Sequence, residues 1–181
     1  AVFGLLAYSP LKRTPWGGPP CNSAVVALLP AMGLLCGGES PVRALRSPLL
    51  LPAMASAFLS YAVFVLLGYL KDVEADRATG YLTLPVRFPR RATVVVSLVH
   101  ALAAVAVSLL LLARGGVASP SFPLLALWGA GAAGLLSSHL LAWNVRRDAD
   151  ASPAVTASVV SFVALHLGEA GLLRPAYGHL A

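Results

Sequence analysis

Long apolar runs separated by short charged breaks are the main feature of this sequence. Residues 48–70, 92–113 and 122–145 contain no charged side chain, and residues 153–173 contain only Glu169. An α-helix needs about 20 apolar residues to cross the hydrocarbon core of a bilayer. The pattern therefore predicts at least four membrane-spanning helices.

Two shorter apolar runs precede these four. The run over about 23–37 is interrupted by Pro30 and predicts a fifth span, and residues 1–8 read as the end of one more helix. Backbone groups in lipid must be satisfied within the protein, so the predicted fold class is all-α, a polytopic transmembrane helix bundle. One integral membrane domain over residues 1–181 fits this length, and the apolar opening without Met predicts that it is truncated at its N-terminal side.

The composition supports the membrane class. The chain is 58% hydrophobic and 11% charged, whereas a soluble domain carries about 25% charged residues. The net charge of +6 raises the possibility of nucleic-acid binding, which requires a basic face on a soluble body. Here the basic residues lie in the breaks between apolar runs. The expected partner is therefore the lipid bilayer, and no nucleic-acid partner is expected.

The charged breaks alternate between the two membrane faces. The first face receives nine of the 13 Lys and Arg residues and the second face receives four. The first face contains the breaks 10–22, 71–91 and 146–152, and the second contains 38–47, 114–121 and 174–181. The positive-inside rule predicts that the first face is cytoplasmic.

Three of the seven acidic residues, Asp72, Glu74 and Asp76, follow the run that ends at residue 70. If that helix continues, Asp72 and Asp76 stack one turn apart on one face and Glu74 points away. Stacked carboxylates repel unless a cation lies between them, and Mg²⁺ takes one or two carboxylates together with water and substrate phosphate oxygens. The flanking Lys71 and Arg77 offer the alternative of a solvated charge cluster without a metal.

Two segments resemble motifs of the UbiA-type intramembrane prenyltransferases. The segment "YLKDVEADRATGYLTLPVRF", residues 69–88, resembles the second aspartate-rich motif of that family. The matching positions are Lys71, Asp72, Asp76, Arg77, Gly80, Thr83, Leu84 and Pro85. The upstream "AYSPLKRTPWGG", residues 7–18, resembles a short loop of tyrosine and basic residues that touches the diphosphate in this family.

The resemblance implies a nine-helix bundle whose later part corresponds to this chain. It implies an enzyme that transfers a prenyl group from a prenyl diphosphate to a hydrophobic acceptor, either an aromatic ring or a lipid precursor, with Mg²⁺ as cofactor. It implies that Asp72 and Asp76 are the catalytic metal ligands. The diphosphate-binding residues that it implies are Tyr8, Lys12, Arg13, Lys71 and Arg77.

The chain departs from the family pattern in one respect. The first aspartate motif of the family, N-x-x-x-D-x-x-x-D, is not found, and the chain alone is therefore expected to be an inactive part of the enzyme. Asn144 and Asp148 have the first spacing of that motif, but Ser152 stands where the next Asp should be, which favours interfacial charge. The alternative function is a non-catalytic polytopic membrane protein, either transporter-like or a degenerate lipid-binding family member.

The remaining polar residues in the apolar runs favour structural roles. His166 and Glu169 share a helix face and are expected to satisfy each other. His100 and His139 are expected to bond neighbouring helices, and the small residues of "WGAGAAGLLSS", residues 128–138, predict close helix packing.

Overall fold

The computed structural model describes residues 2–117 and 120–177. Over these ranges it contains ten α-helices, one 3₁₀ turn at Asp148–Ala151 and no strand. The helices are α1 (Val2–Leu11), α2 (Gly18–Val26), α3 (Leu29–Cys36), α4 (Pro41–Arg46), α5 (Leu50–Tyr69), α6 (Val73–Ala78), α7 (Leu84–Arg87), α8 (Arg90–Arg114), α9 (Phe122–Ala142) and α10 (Ser152–Tyr177). Residues 118–119 of one predicted loop and 178–181 of another lie outside the described residues.

Five segments in the described part of the chain are long and apolar enough to cross a membrane. The second to fifth of these segments are α5, α8, α9 and the 3₁₀ turn together with α10. The first combines α2 and α3 over Gly18–Cys36. The predicted all-α bundle with five spans is therefore confirmed.

The bounds of the first helices differ from the prediction. Helix α1 extends to Leu11 rather than to residue 8, and the first span begins at Gly18 rather than near residue 23. The break between them is consequently only a short turn. Helix α2 ends at Val26 and α3 begins at Leu29, because Pro30 has no N–H for the Val26 carbonyl and its ring crowds that carbonyl.

The core lies where α5, α8, α9 and α10 meet. Its fully buried side chains come from all four helices, and they include Val63, Leu67, Ala101, Leu135 and Leu165. Many large apolar side chains on the outer helix faces are exposed, as expected for a surface in contact with lipid.

Helices α9 and α10 approach each other closely along glycines. A Cβ atom at Gly168 of α10 would lie 2.7 Å from backbone atoms of Trp128 in α9, and one at Gly131 would lie 2.7 Å from Cα of Leu165. These distances are too short for a side chain, so the two backbones pack directly through small residues. The packing role predicted for residues 128–138 is confirmed.

Side-chain hydrogen bonds tie α5 to α10 inside the bundle. Ser56 Oγ donates to Glu169 Oε1 at 2.8 Å, and Glu169 Oε2 lies 2.6 Å from His166 Nδ1. Nε2 of His166 is 2.8 Å from Ser60 Oγ. The predicted His166–Glu169 pair is confirmed, and two serines of α5 complete it.

The two other histidines of the spans behave differently from each other. His139 in α9 lies 2.9 Å from Ser97 Oγ in α8, so its predicted bond to a neighbouring helix is confirmed. The same prediction is wrong for His100, whose Nδ1 lies 2.8 Å from the Val96 carbonyl of its own helix. A carbonyl one turn earlier is within reach of this side chain without any partner helix.

Replacing Gly168 by Ala should destabilise the α9–α10 pair, because overpacking of a tight contact costs about 1–3 kcal/mol. The matched control is Gly129→Ala, since a Cβ at Gly129 meets nothing within 4 Å. Thermal unfolding in detergent should show a lower midpoint for Gly168→Ala only. Equal midpoints for the two variants would contradict direct backbone packing at Gly168.

Candidate active site

The acidic motif occupies a break between α5 and α8. Helix α5 ends at Tyr69, and the short helix α6 begins after Asp72. The prediction of one continuous helix through Asp72 and Asp76 is therefore wrong. At the break, Arg90 Nη1 donates to the Leu70 carbonyl at 2.6 Å from outside the helix and so satisfies this group.

The break places the two predicted metal ligands in different environments. The backbone N–H of Asp76 still donates to the Asp72 carbonyl at 2.7 Å, so the two residues remain one helical turn apart. Asp76 is only 3% exposed. Asp72 is exposed and its side chain caps no backbone group of α6. Glu74, which was expected to point away from the pair, is also exposed.

Both carboxylate oxygens of Asp76 accept hydrogen bonds from side chains of the two motif segments, residues 7–18 and 69–88. Lys12 Nζ donates to Oδ1 at 2.7 Å, and Thr83 Oγ1 donates to Oδ2 at 2.9 Å. Burial of a carboxylate is tolerated when it is paired and hydrogen-bonded, as it is here. The structure thus brings the two sequence motifs together, although Lys12 and Asp76 are 64 positions apart.

Three tyrosine rings surround the Lys12 ammonium. Its Nζ lies 4.8 Å from the ring centre of Tyr81, 5.3 Å from that of Tyr69 and 5.8 Å from that of Tyr8. Each distance is within the range of about 6 Å for a cation–π contact. Tyr8 was predicted at this site, whereas Tyr69 and Tyr81 were missed, although they directly flank the acidic motif in the sequence.

A glycine turn fixes the far end of α6. Gly80 has φ of +74°, the left-handed conformation that glycine adopts most readily. The N–H of Tyr81 donates to the Asp76 carbonyl at 2.8 Å, and the N–H of Gly80 donates to the Arg77 carbonyl at 3.3 Å. This is the Schellman arrangement of a helix end. It directs the chain to Leu82, whose N–H donates to the Lys12 carbonyl at 3.0 Å.

The other predicted site residues lie in the same two motif segments and have exposed side chains. These residues are Arg13, Lys71, Asp72 and Arg77. The structure therefore brings Tyr8, Lys12 and Asp76 into contact and leaves these four side chains exposed.

Asp72 and Asp76 are the residues that would hold the Mg²⁺ that the resemblance implies. Within the described ranges, no group of three or more His, Cys, Asp or Glu side chains is arranged to hold a metal ion. Mg²⁺ nevertheless commonly uses only one or two carboxylates and completes its shell with water and phosphate oxygens. Asp72 offers an exposed carboxylate, and Asp76 Oδ1 already binds one cation, the Lys12 ammonium. The chemistry of these two residues fits the metal that the resemblance implies.

The segment at residues 144–152 contributes more than surface charge. Asp150 forms a 3.9 Å ion pair with Arg147, and both side chains are substantially exposed, as expected for interfacial charge. Asp148, in contrast, pairs with Arg90 and accepts a hydrogen bond from the Glu74 N–H at 2.8 Å. The prediction missed this role, because nothing in the local sequence distinguishes Asp148 from Asp150.

A cavity of about 480 Å³ lies near the opposite end of α5 from the acidic motif. Its wall is mostly apolar and comes mainly from α3, α5 and α10, with single residues of α2 and α8 and with the turn after α3. Glu39, His166 and Glu169 are the charged or titratable residues in that wall. The cavity is therefore separate from the Lys12–Asp76 cluster.

Comparison with known proteins gives one match. The sequence model of the UbiA prenyltransferase family matches residues 1–165. No curated protein and no solved structure matches the chain.

Proposed function

Because this chain belongs to the UbiA prenyltransferase family, we propose that it acts in Mg²⁺-dependent transfer of a prenyl group from a prenyl diphosphate to a hydrophobic acceptor. The observation that carries this proposal is the Lys12–Asp76 pair, which joins the basic loop to the acidic motif. A phosphate-binding cation and a metal-binding carboxylate are the two groups that a metal–diphosphate complex requires.

The charge around the pair suits a diphosphate. Lys12, Arg13, Lys71 and Arg77 place four cations in the two loops, and charge-assisted hydrogen bonds to phosphate oxygens are strong. Asp72 and Asp76 would hold Mg²⁺, which when bound would supply Lewis acidity toward the leaving diphosphate. The two acidic side chains and the four basic ones thus have complementary roles.

Lys12 has the geometry to exchange partners. Its ammonium carries three donors on a flexible stem, and one donor is bound to Asp76 Oδ1. We infer that Lys12 turns toward a diphosphate oxygen when substrate arrives and thereby frees Oδ1 as a ligand. Thr83 continues to donate to Oδ2 and keeps the carboxylate oriented.

The reaction itself is an alkylation. The C–O bond between the prenyl carbon and the diphosphate breaks, and the diphosphate leaves with the electron pair. A nucleophilic atom of the acceptor bonds to the prenyl carbon, and the acceptor loses a proton to water or to the released diphosphate. Lys12 and the neighbouring cations stabilise the negative charge that develops on the leaving group.

The competing function is a non-catalytic polytopic membrane protein. It is favoured by the single aspartate motif in these residues and by the absence, in the part of the chain that the structure describes, of a complete metal-binding group. The two functions differ in whether the acidic side chains matter for binding a prenyl diphosphate.

Asp72→Asn and Asp76→Asn should each lower Mg²⁺-dependent binding of radiolabelled farnesyl diphosphate and prenyl transfer by the full-length protein. We expect a loss of about 10²–10³-fold in transfer, the usual effect of removing a key electrostatic group. Glu74→Gln is the matched control, because it neutralises an exposed acid of the same helix. Wild-type binding and transfer in both Asp variants would contradict a metal-binding role and leave the solvated charge cluster, whereas a wild type that neither binds nor transfers would favour the non-catalytic function.

Thr83→Val should have a smaller effect than Asp76→Asn. It removes one hydrogen bond to Asp76 Oδ2, worth about 0.5–1.5 kcal/mol, and keeps the shape and charge of the site. The apparent affinity for the same farnesyl diphosphate probe should fall by several-fold in a Mg²⁺ titration. An affinity equal to that of the wild type would show that probe binding does not depend on the hydrogen bond from Thr83 to Asp76.

We also propose that the acidic motif faces the cytoplasm and that α4 faces the other side. Single cysteines at Ala78 and Val42, both exposed, should be labelled from opposite sides of oriented vesicles after Cys21 and Cys36 are replaced. Ala78→Cys should react from the cytoplasmic side. Labelling of both positions from one side would refute the arrangement.

Turnover should require a second aspartate motif on further helices. The 181 residues expressed alone should insert into membranes but bind the farnesyl diphosphate probe weakly, since one motif gives Mg²⁺ few protein ligands. Co-expression with helices that carry N-x-x-x-D-x-x-x-D should raise both binding and transfer. Transfer by the 181 residues alone would contradict this requirement.

A further inference from the structure

Arg90 and Asp148 form an ion pair beside the acidic motif but outside both sequence motifs. Arg90 begins α8, and Asp148 begins the 3₁₀ turn before α10. Nη2 of Arg90 contacts Oδ1 of Asp148, and the two side chains are only 21% and 18% exposed. The pair therefore fastens two spans to each other at the membrane face that carries Asp72 and Asp76.

Each member of the pair also caps the end of a different helix. Arg90 Nη1 donates to the carbonyl of Leu70 at 2.6 Å, directly after the last residue of α5. Asp148 Oδ2 accepts from the N–H of Glu74, in the first turn of α6, at 2.8 Å. Carbonyls at a helix C-terminus and N–H groups at a helix N-terminus have no partner within the helix. The pair satisfies one of each across the break.

The N-terminus of a helix is ordinarily capped by the side chain of its own N-cap residue, whereas Asp148 caps α6 from a distant part of the chain. Asp is among the best N-cap residues, and Asp72 occupies the N-cap position of α6. Its side chain nevertheless makes no capping hydrogen bond. Because Asp148 accepts the hydrogen bond from the first turn instead, the exposed Asp72 carboxylate forms no hydrogen bond to the backbone of α6.

We propose that Arg90 and Asp148 are positioning residues for the acidic motif. They hold the first turn of α6 and leave the Asp72 carboxylate available to a metal–diphosphate complex. This inference rests on the proposed function for its catalytic consequence. The structural part rests on three contacts: Arg90 with Asp148, Arg90 with the Leu70 carbonyl, and Asp148 with the Glu74 N–H. Such contacts matter for α6 because a helix of six residues is too short to be stable by itself.

Hydrogen exchange measured by mass spectrometry on the full-length protein in nanodiscs tests the structural part. Asp148→Ala should raise amide exchange across residues 73–80, and amides in the middle of α8 and α10 should keep their wild-type exchange. Asp150→Ala is the control, because Asp150 lies in the same 3₁₀ turn but pairs with Arg147 at the surface. Unchanged exchange in Asp148→Ala would overturn the proposal.

Binding of farnesyl diphosphate in the presence of Mg²⁺ tests the catalytic consequence. We expect Asp148→Ala to weaken binding by about tenfold or more, the usual effect of losing a group that orients a metal ligand. Asp148→Asn should lose less, because its amide oxygen still accepts from the Glu74 N–H. Wild-type affinity in Asp148→Ala, in a protein whose wild type binds the probe, would overturn the proposal.

A charge swap separates positioning from simple ion pairing. Arg90→Asp combined with Asp148→Arg restores the attraction, but Asp cannot donate to the Leu70 carbonyl and Arg cannot accept from the Glu74 N–H. The swapped protein should therefore resemble Asp148→Ala in both measurements, and full rescue would overturn the proposal. Faster exchange in Asp148→Ala without any probe binding by the wild type would support the positioning of α6 and refute the proposed function.

Discussion

The buried carboxylate of Asp76 sets a constraint that the region around the acidic motif meets in several ways. A charged group that is 3% exposed is costly unless it is paired and hydrogen-bonded. Lys12 supplies the opposite charge, and Thr83 supplies a hydrogen bond. Meeting this constraint requires the loop after α1 to lie against the loop after α5. The Leu82–Lys12 backbone hydrogen bond reinforces that contact.

The helix break between Tyr69 and Val73 also leaves backbone polar groups that need partners. A continuous helix would have stacked Asp72 and Asp76 in similar surroundings. The break instead leaves one carboxylate exposed and the other buried, and Arg90 and Asp148 satisfy the helix ends that it creates. Under the proposed function, the two aspartates therefore contribute differently, since Asp76 is bound by protein donors and Asp72 is open to a ligand.

Inside the bundle, polar side chains are concentrated where helices touch. Glu169 and His166 of α10 bond Ser56 and Ser60 of α5, and His139 of α9 lies beside Ser97 of α8. Lipid offers such groups no hydrogen bonds, so contact between helices is where they are satisfied. Glycines on α9 and α10 bring those backbones close without polar groups. Together these contacts link α5, α8, α9 and α10 around one apolar core.

The sequence by itself determined the class of fold, the number of spans and the residues of the two motifs. Runs of about 20 uncharged residues have few alternatives to membrane helices, and "KDVEAD" with the Tyr8–Arg13 loop identified the family. Only the tertiary structure decided that Asp76 is buried against Lys12, that Asp72 is exposed, and that Asp148 caps α6. Those outcomes depend on contacts between residues 58 to 74 positions apart. Helical periodicity describes neighbours three and four positions apart, and so it could not distinguish Asp148 from Asp150 or foresee that Arg90 would bond the Leu70 carbonyl at the end of α5.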